Sequence, residues 1–373
     1  MKRIIILGAT GSIGRQALNI ISRHPESFMV AGLSAHHDTD GLLEAAELYG
    51  TRQTCLSGSR SNLVRYSGSE GLLTLIRDTD ADMVLNAVAG ADGLAPSFEA
   101  IRSGKDLALA NKETIVMAGR LVMEAAQVLG TKIVPVDSEH SAIFSMVERF
   151  GASSLKSVII TASGGAFRDY PLEKLATVTP ADALAHPTWN MGAKITVDSA
   201  SMANKGLELI EASRLFNLDP DRINVVIHPE SRVHSFIRTL DGSLYAQMSR
   251  PDMRIPILNA FSWPEYIEES VADMDPTDIA MHFYNPDLKR YPLLGLAFSA
   301  LADGEGACTA YNAANEVAVE AFMREQIRFP GIYDIVAGTL DTNFQSRLDD
   351  IDAVMAVDSM ARTMAESIVK EHQ

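Results

Sequence analysis

Residues Lys2–Gly14 constrain this chain more than any other stretch. Ile4, Ile5, Ile6 and Leu7 form an unbroken apolar run, the pattern of a strand buried on both faces. Gly8-Ala9-Thr10-Gly11-Ser12-Ile13-Gly14 follows. Ile13, Ala17, Leu18, Ile20 and Ile21 then recur at helical spacing as far as His24-Pro25. A buried strand, a glycine-rich turn and a helix open a parallel α/β sheet. Such a turn lets backbone approach a pyrophosphate whose charge rests on the helix N-terminus. The spacing is G-x-x-G-x-x-G rather than G-x-G-x-x-G. In this setting it reads as a dinucleotide loop, with a plain tight turn as the alternative.

More strands follow at Phe28–Leu33, Asp82–Ala87, Asp106–Ala110 and Lys132–Val136. After the second strand, a nucleotide-binding sheet senses the ribose 2′ position. No acid stands there; Ser34-Ala35-His36-His37 does. Two imidazoles suit a 2′-phosphate and so favour NADP; the alternative is a pair of exposed loop histidines. Val88–Leu94 is a small-residue loop beside the expected cofactor. Asn111-Lys112-Glu113 lies at the C-terminal end of a parallel strand, on the ligand-binding edge. Asp137-Ser138-Glu139-His140 ends the next strand. In extended backbone Asp137 and Glu139 share a side, so they can hold a divalent cation through oxygen. Helix capping by Asp137 or Ser138 is the alternative.

Ser157–Ala162 reads as a strand leading into Ser163-Gly164-Gly165. The polar segment 170–193 contains His186, Trp189 and Met191 and reads as a lid, or as a loop folded permanently over the core. Ile195-Thr196-Val197 begins as a β-branched run. It then turns into a helix carrying Asn204, Lys205 and Glu208 on one face. Hydroxyls, an amide, a cation and a carboxylate at a helix start suit a phosphorylated small molecule; a capped helix with one ion pair is the alternative. Glu208 is the obvious third carboxylate for Asp137 and Glu139. Asn224–Ile227 and Leu244–Met248 read as further strands, the latter half-buried and antiparallel. The expected organisation is a Rossmann-like NADP-binding domain over 1–136 and an α/β catalytic domain over 137–262. A Pro-punctuated, acid-rich linker over 263–292 leads to a C-terminal helical bundle of about four helices over 293–373.

Composition narrows the partners. The formal net charge of −16 argues against nonspecific binding to nucleic acid or anionic membrane. No apolar run approaches the length of a membrane span. Two distant cysteines, Cys55 and Cys308, make no disulfide framework. With a strand starting at Lys2, no signal or transit peptide is expected, and the expectation is a cytoplasmic enzyme. There are no internal repeats.

In order and spacing, several motifs together resemble the 1-deoxy-D-xylulose 5-phosphate reductoisomerase family. They are Asn111-Lys112-Glu113, Asp137-Ser138-Glu139, Ser163-Gly164-Gly165, His186-Pro187-x-Trp189-x-Met191-Gly192, Asp198-Ser199, Asn204-Lys205-Gly206-x-Glu208 and Asn312-Ala313-Ala314-Asn315-Glu316. The resemblance implies a homodimeric enzyme using NADPH and a divalent metal (Mg²⁺, Mn²⁺ or Co²⁺). Its reaction would convert 1-deoxy-D-xylulose 5-phosphate to 2-C-methyl-D-erythritol 4-phosphate, by skeletal rearrangement and then hydride reduction, in the non-mevalonate isoprenoid pathway. It implies NADPH on Thr10, Gly11, Ser12, Ile13, Asn111, Lys112 and Glu113, with Ala35, His36 and His37 at the 2′-phosphate. It implies metal on Asp137, Glu139 and Glu208. Substrate would lie on Ser138, Ser163, His186, Trp189, Ser199, Asn204, Lys205 and Glu208, its phosphate on Ser163, Ser199, Asn204 and Lys205. Glu139, Glu208, Lys205 and His186 would carry the catalytic roles. Two positions depart from the family pattern. Ala35-His36-His37 stand where Gly-Lys-Asn is frequent, and Ala166 stands where a proline usually follows the paired glycines. The competing readings are a metal-free NADP-dependent dehydrogenase of a phosphorylated small molecule and a dinucleotide-sensing regulator.

Overall fold

Strand β1 (Lys2–Leu7) occupies the middle of a seven-stranded sheet in the computed structural model, as its unbroken apolar run requires. Residues 1–373 are described, apart from Asn190, Glu269, Ser270, Asp278 and Gln373. Asn190 of the expected lid, and Glu269 and Asp278 of the acid-rich linker, thus lie outside the described residues. The chain forms two compact units. One comprises Met1–Thr114, Val122–Phe144 and Asp252–Ala272; the other comprises Ile115–Leu121, Ser145–Pro251 and Asp273–Gln373.

In the first unit β1 leads to α1 (Ser12–Arg23), β2 (Phe28–Ala35), α2 (Thr39–Leu48), β3 (Thr54–Leu56), β4 (Tyr66–Ser67), α3 (Gly68–Asp78) and β5 (Met83–Asn86). Then come α4 (Leu94–Arg102), β6 (Asp106–Leu109), α5 (Lys112–Leu129), β7 (Ile133–Pro135) and α6 (Ser138–Phe150). The sheet is parallel throughout, in the order β4-β3-β2-β1-β5-β6-β7. Strand order therefore reverses between β1 and β5, and a doubly wound sheet binds its ligand at such a reversal. The short strands β3 and β4, the latter at the sheet edge, lack a long apolar run and carry no clear sequence signal.

The second unit holds β8 (Leu155–Ala162), α7 (Pro180–Leu184), α8 (Ala193–Ser201), α9 (Ala203–Phe216), β9 (Ile223–Ile227), β10 (Val233–Thr239) and β11 (Leu244–Met248). Helix α10 (Arg254–Ser262) belongs to the first unit, where Phe261 packs edge-on against Phe28. Four helices close the chain: α11 (Pro292–Asp303), α12 (Glu305–Met323), α13 (Gly331–Leu340) and α14 (Ile351–Glu371). They match the expected bundle. The smaller sheet runs β11-β10-β8-β9, with β8 and β9 parallel and the other pairs antiparallel. Among the described residues no helix is long and apolar enough to cross a membrane.

Two local expectations are corrected. Ile195-Thr196-Val197 is helical, inside α8. Burial of Thr196 and Val197, and a bond from Thr196 Oγ1 to the Gly192 carbonyl, outweigh β-branched propensity. Leu244–Met248 is antiparallel but not half-buried: it forms the sheet edge, and both Leu244 and Tyr245 are exposed.

Candidate functional site

The glycine-rich turn is shaped by backbone crowding. Gly8 has φ +81°, and a Cβ there would lie 2.7 Å from the Ala87 carbonyl oxygen after β5. A Cβ on Gly14 would lie 2.3 Å from the Gly8 oxygen, so α1 begins against the turn itself. Ser34, at the end of β2, accepts the N–H groups of Gly8 and Ala9 on its carbonyl, at 3.1 and 2.7 Å. Helix α1 has Gly11 at its N-cap, with no side-chain cap and no acid in its first turn. Its first amides at Ser12 and Ile13 thus stand ready for an anion.

At the end of β2, His36 and His37 pack together with ring centroids 4.1 Å apart, and His36 Nδ1 lies 3.1 Å from Ser57 Oγ. Both rings lie over Gly58, where a Cβ would come within 2.4 Å of His37. The next acid, Asp38, is spent capping α2 through Gly41 N–H. Two exposed imidazoles are thus available here for a 2′-phosphate.

Asn111 is buried and fully engaged. It caps α5 by accepting from Thr114 N–H at 2.9 Å, and its amide donates to the carbonyls of Val88 and Gly90 and to Glu113. It holds the small-residue loop in shape. Buried Lys112 pairs with Asp137, whose other oxygen meets His140 Nδ1 at 3.2 Å. Burial pushes the Asp137 carboxyl up, but Lys112 and His140 outweigh it and hold the group well below the usual carboxylate range. Residue Asp137 is not part of an extended pair with Glu139, because α6 begins at Ser138. Glu139 N–H instead donates to Asp137 Oδ1 at 3.2 Å, and Ser138 Oγ donates to Glu139 at 2.6 Å. The two acids share one helix end, where capping and cation binding are compatible.

In the second unit the structure joins Ser163, His186 and Ser199. His186 Nε2 lies 3.1 Å from Ser163 Oγ and 3.1 Å from Ser199 Oγ. Its Nδ1 accepts the N–H groups of Thr188 and Trp189, at 3.1 and 2.9 Å. An Nδ1 that accepts leaves the neutral imidazole's proton on Nε2, facing the two hydroxyls. Burial, then the charge of Arg168, holds this imidazole below its ordinary value. Gly165 lets the Ser-Gly-Gly turn approach α8, since a Cβ there would lie 2.4 Å from the Ser199 carbonyl oxygen.

Helices α8 and α9 meet at Met202, which has φ +63°. Just beyond it, Asn204 Nδ2 donates to Glu208 Oε1 at 2.6 Å, and Lys205 bonds to Oε2. Lys205 and Glu208 are both buried, where an ion pair persists only with good geometry. Asn204 Oδ1 is buried with no hydrogen-bond partner among the described residues.

Sequence reasoning assigned no role to Ser231 or His234. Ser231 is buried, has φ +50°, and its Oγ lacks a partner among the described residues. His234 bonds Ser249 at 2.9 Å, and its ring lies 6.4 Å from that of Trp189. The polar stretch His228–Ser231 after the strand expected at Asn224–Ile227 was the available signal, but a left-handed serine leaves no mark in a sequence.

Comparisons with known proteins agree along the whole chain. Residues 4–119 match the family described as 1-deoxy-D-xylulose 5-phosphate reductoisomerase. Residues 133–216 and 248–364 match its two C-terminal domain families. A 1-deoxy-D-xylulose 5-phosphate reductoisomerase of Geotalea uraniireducens is 44% identical, with 99% of each chain covered. One from Idiomarina loihiensis is 43% identical over the full length of both. A crystal structure of DOX-P reductoisomerase in complex with NADPH, fosmidomycin and magnesium superposes with a TM-score of 0.94 at 38% identity, covering 99% of this chain and 98% of that one. The Zymomonas mobilis enzyme in complex with NADPH gives 0.91 at 38% identity, with 99% of each chain covered.

Proposed function

The chain belongs to the 1-deoxy-D-xylulose 5-phosphate reductoisomerase family, and from that membership we infer its reaction and the work of its residues. It is an NADPH- and divalent-metal-dependent reductoisomerase that converts 1-deoxy-D-xylulose 5-phosphate to 2-C-methyl-D-erythritol 4-phosphate in isoprenoid biosynthesis. The observation that carries this reading is full-length similarity to enzymes of that name, including solved relatives holding NADPH and magnesium. A metal-free dehydrogenase would leave the carboxylates Asp137, Glu139 and Glu208 as caps and ion pairs. A dinucleotide-sensing regulator would leave Ser163, His186 and Ser199 without a purpose.

The first unit receives the cofactor on the turn at Thr10, Gly11, Ser12 and Ile13. Asn111 shapes the neighbouring loop beside Lys112 and Glu113, and Ala35, His36 and His37 receive the 2′-phosphate. The donor set Asp137, Glu139 and Glu208 suits a hard divalent cation, since each offers a carboxylate oxygen. When bound, the ion supplies Lewis-acid polarisation of the substrate's carbonyl and hydroxyl oxygens, and NADPH supplies hydride. Ser138 lies beside these ligands to meet a substrate oxygen. Lys205 offers an ammonium to the substrate and, with Asn204, orients Glu208. Ser163, Ser199, Asn204 and Lys205 receive the phosphate, far from the reacting carbons, where binding orients the substrate. His186 donates from Nε2 toward that group. Through Nδ1 it ties down the segment carrying Trp189, which closes over the substrate and excludes water.

The functional division we propose is cofactor within 1–136, metal and substrate within 137–262 with a lid at about 170–193, a linker over 263–292, and support by the helices of 293–373. The chain works in the cytoplasm as a homodimer, without nucleic-acid or membrane partners. The exposed apolar residues Leu244 and Tyr245 on edge strand β11 support the dimer, which sedimentation tests. The deciding assay offers 1-deoxy-D-xylulose 5-phosphate with NADPH and Mg²⁺ or Mn²⁺ and follows NADPH oxidation. Turnover should vanish on chelation and return with added metal; undiminished turnover in chelator would remove the metal site.

A further inference from the structure

The elbow between α8 and α9 carries Ser199 on one arm and Asn204 and Lys205 on the other. Its corner is Met202, buried and in the left-handed region, where a non-glycine residue stays only if its surroundings hold it. Helix α12 holds both arms with residues four apart on one helix face, Tyr311 and Asn315.

Asn315 Nδ2 donates to Asp198 Oδ1 at 2.8 Å, next to Ser199 on α8. Asp198 is 1% exposed, and Lys194 Nζ meets its other oxygen at 2.9 Å. Its carboxylate is thus used on both sides and acts through the helix rather than on a ligand. On α9, Gly206 lies beneath the fully buried Tyr311, and a Cβ there would come 2.5 Å from the phenol oxygen and 2.8 Å from Ala297 Cβ. The Tyr311 hydroxyl donates to the Leu293 carbonyl of α11 at 3.2 Å, which fixes the ring. One contact precedes Met202 by four residues and the other follows it by four.

We infer that Tyr311 and Asn315 are positioning residues. Helix α12 sets the angle between α8 and α9, and with it the spacing of the hydroxyl, amide and ammonium that receive the substrate's phosphate. The inference rests on the assignment of that phosphate to Ser199, Asn204 and Lys205. It also gives a purpose to Asp198 and to Asn315 of the Asn312–Glu316 motif.

Steady-state kinetics with 1-deoxy-D-xylulose 5-phosphate, NADPH binding and Tm test it together. Asn315→Ala should raise KM about tenfold, with kcat falling less than about threefold and NADPH Kd unchanged within about twofold. Exchanging the partners, Asp198→Asn with Asn315→Asp, restores a donor and an acceptor across the contact. That pair should recover most of the KM loss seen in each single change. An unchanged KM in Asn315→Ala overturns the inference. So does a joint fall of kcat, affinity and Tm without recovery in the exchange, which would mark a purely structural contact. Should Asn315→Ala fail to fold, Gly206→Ala replaces it. Its KM should rise and be partly relieved by Tyr311→Phe, and no rise or no relief counts against the inference. Ser199→Ala separates the two levels. If its KM is unchanged, the phosphate assignment fails and takes the inference with it. If its KM rises while that of Asn315→Ala does not, positioning alone fails.

Discussion

Two turns in this chain are suited to phosphate groups, and they are built in opposite ways. The turn after β1 is made of backbone: Gly8 and Gly14 leave no room for a Cβ, and the amides after Gly11 have no internal cap. The elbow at Met202 is made of side chains. A non-glycine residue takes a left-handed conformation there, and a buried Lys205–Glu208 pair stands just beyond it. A backbone turn offers dipoles, serves any pyrophosphate and is shaped by backbone, the carbonyls of Ser34 and Ala87 included. A side-chain elbow offers charge and shape for one ligand, and it depends on helices more than a hundred residues away.

The largest effect should fall on the elbow. Glu208→Gln keeps the shape but removes a carboxylate charge, and turnover should drop on the order of a thousandfold, equal to about 4 kcal/mol. NADPH Kd should stay near the parent value. Turnover within about tenfold of the parent would mean that Glu208 is no metal ligand and that the elbow serves only to bind.

The converse change is Gly14→Ala. Its Cβ would meet the Gly8 oxygen and the Ala9 backbone, so the turn must deform at a cost of about 1–3 kcal/mol. NADPH binding, followed by quenching of intrinsic fluorescence, should weaken at least about tenfold. An unaltered Kd would show that the cofactor does not lie on this turn.

A third test uses pH. His186 accepts the N–H groups of Thr188 and Trp189 on Nδ1 only while neutral, and burial with Arg168 favours that form. A depressed folded value means the contribution is complete above the unfolded value, about 6.5, and is lost as pH falls through the lower folded value. KM for the substrate should therefore rise on the acid side, and His186→Gln should flatten that limb. An acid limb that survives the change would place the titrating group elsewhere.

The smallest effect concerns the 2′-phosphate. His36→Gln with His37→Gln should reduce the NADPH-over-NADH preference in kcat/KM by about tenfold or less, since exposed contacts to a phosphate are individually modest. An unchanged ratio would return both histidines to the status of loop residues.

The contrast between the turns also explains what could be read from residues alone. Strands β1, β2, β5, β6 and β7 are short apolar runs, and their alternation with helices marks a parallel sheet. The four closing helices announce themselves by spacing. The motif residues were legible because a ligand demands particular side chains wherever the chain supplies them. The helix at Ile195–Val197 did not show in its β-branched run because burial overrode β-branched preference. Strand β10 was missed because Val233–Thr239 mixes polar and apolar residues between two antiparallel neighbours. Ser231 stayed silent because a left-handed serine is imposed by its surroundings.

By itself the sequence determined the parallel sheet, the glycine turn and the list of polar groups that we propose for cofactor, metal and substrate. Each of these depends on local periodicity or on chemistry that no neighbour can replace. Only the tertiary structure decided how those groups are held. The grouping of His186 with Ser163, the Lys112 partner of Asp137 and the two supports of the Met202 elbow on α12 arise between residues distant in the chain. Packing and burial set such contacts, and no local pattern encodes them.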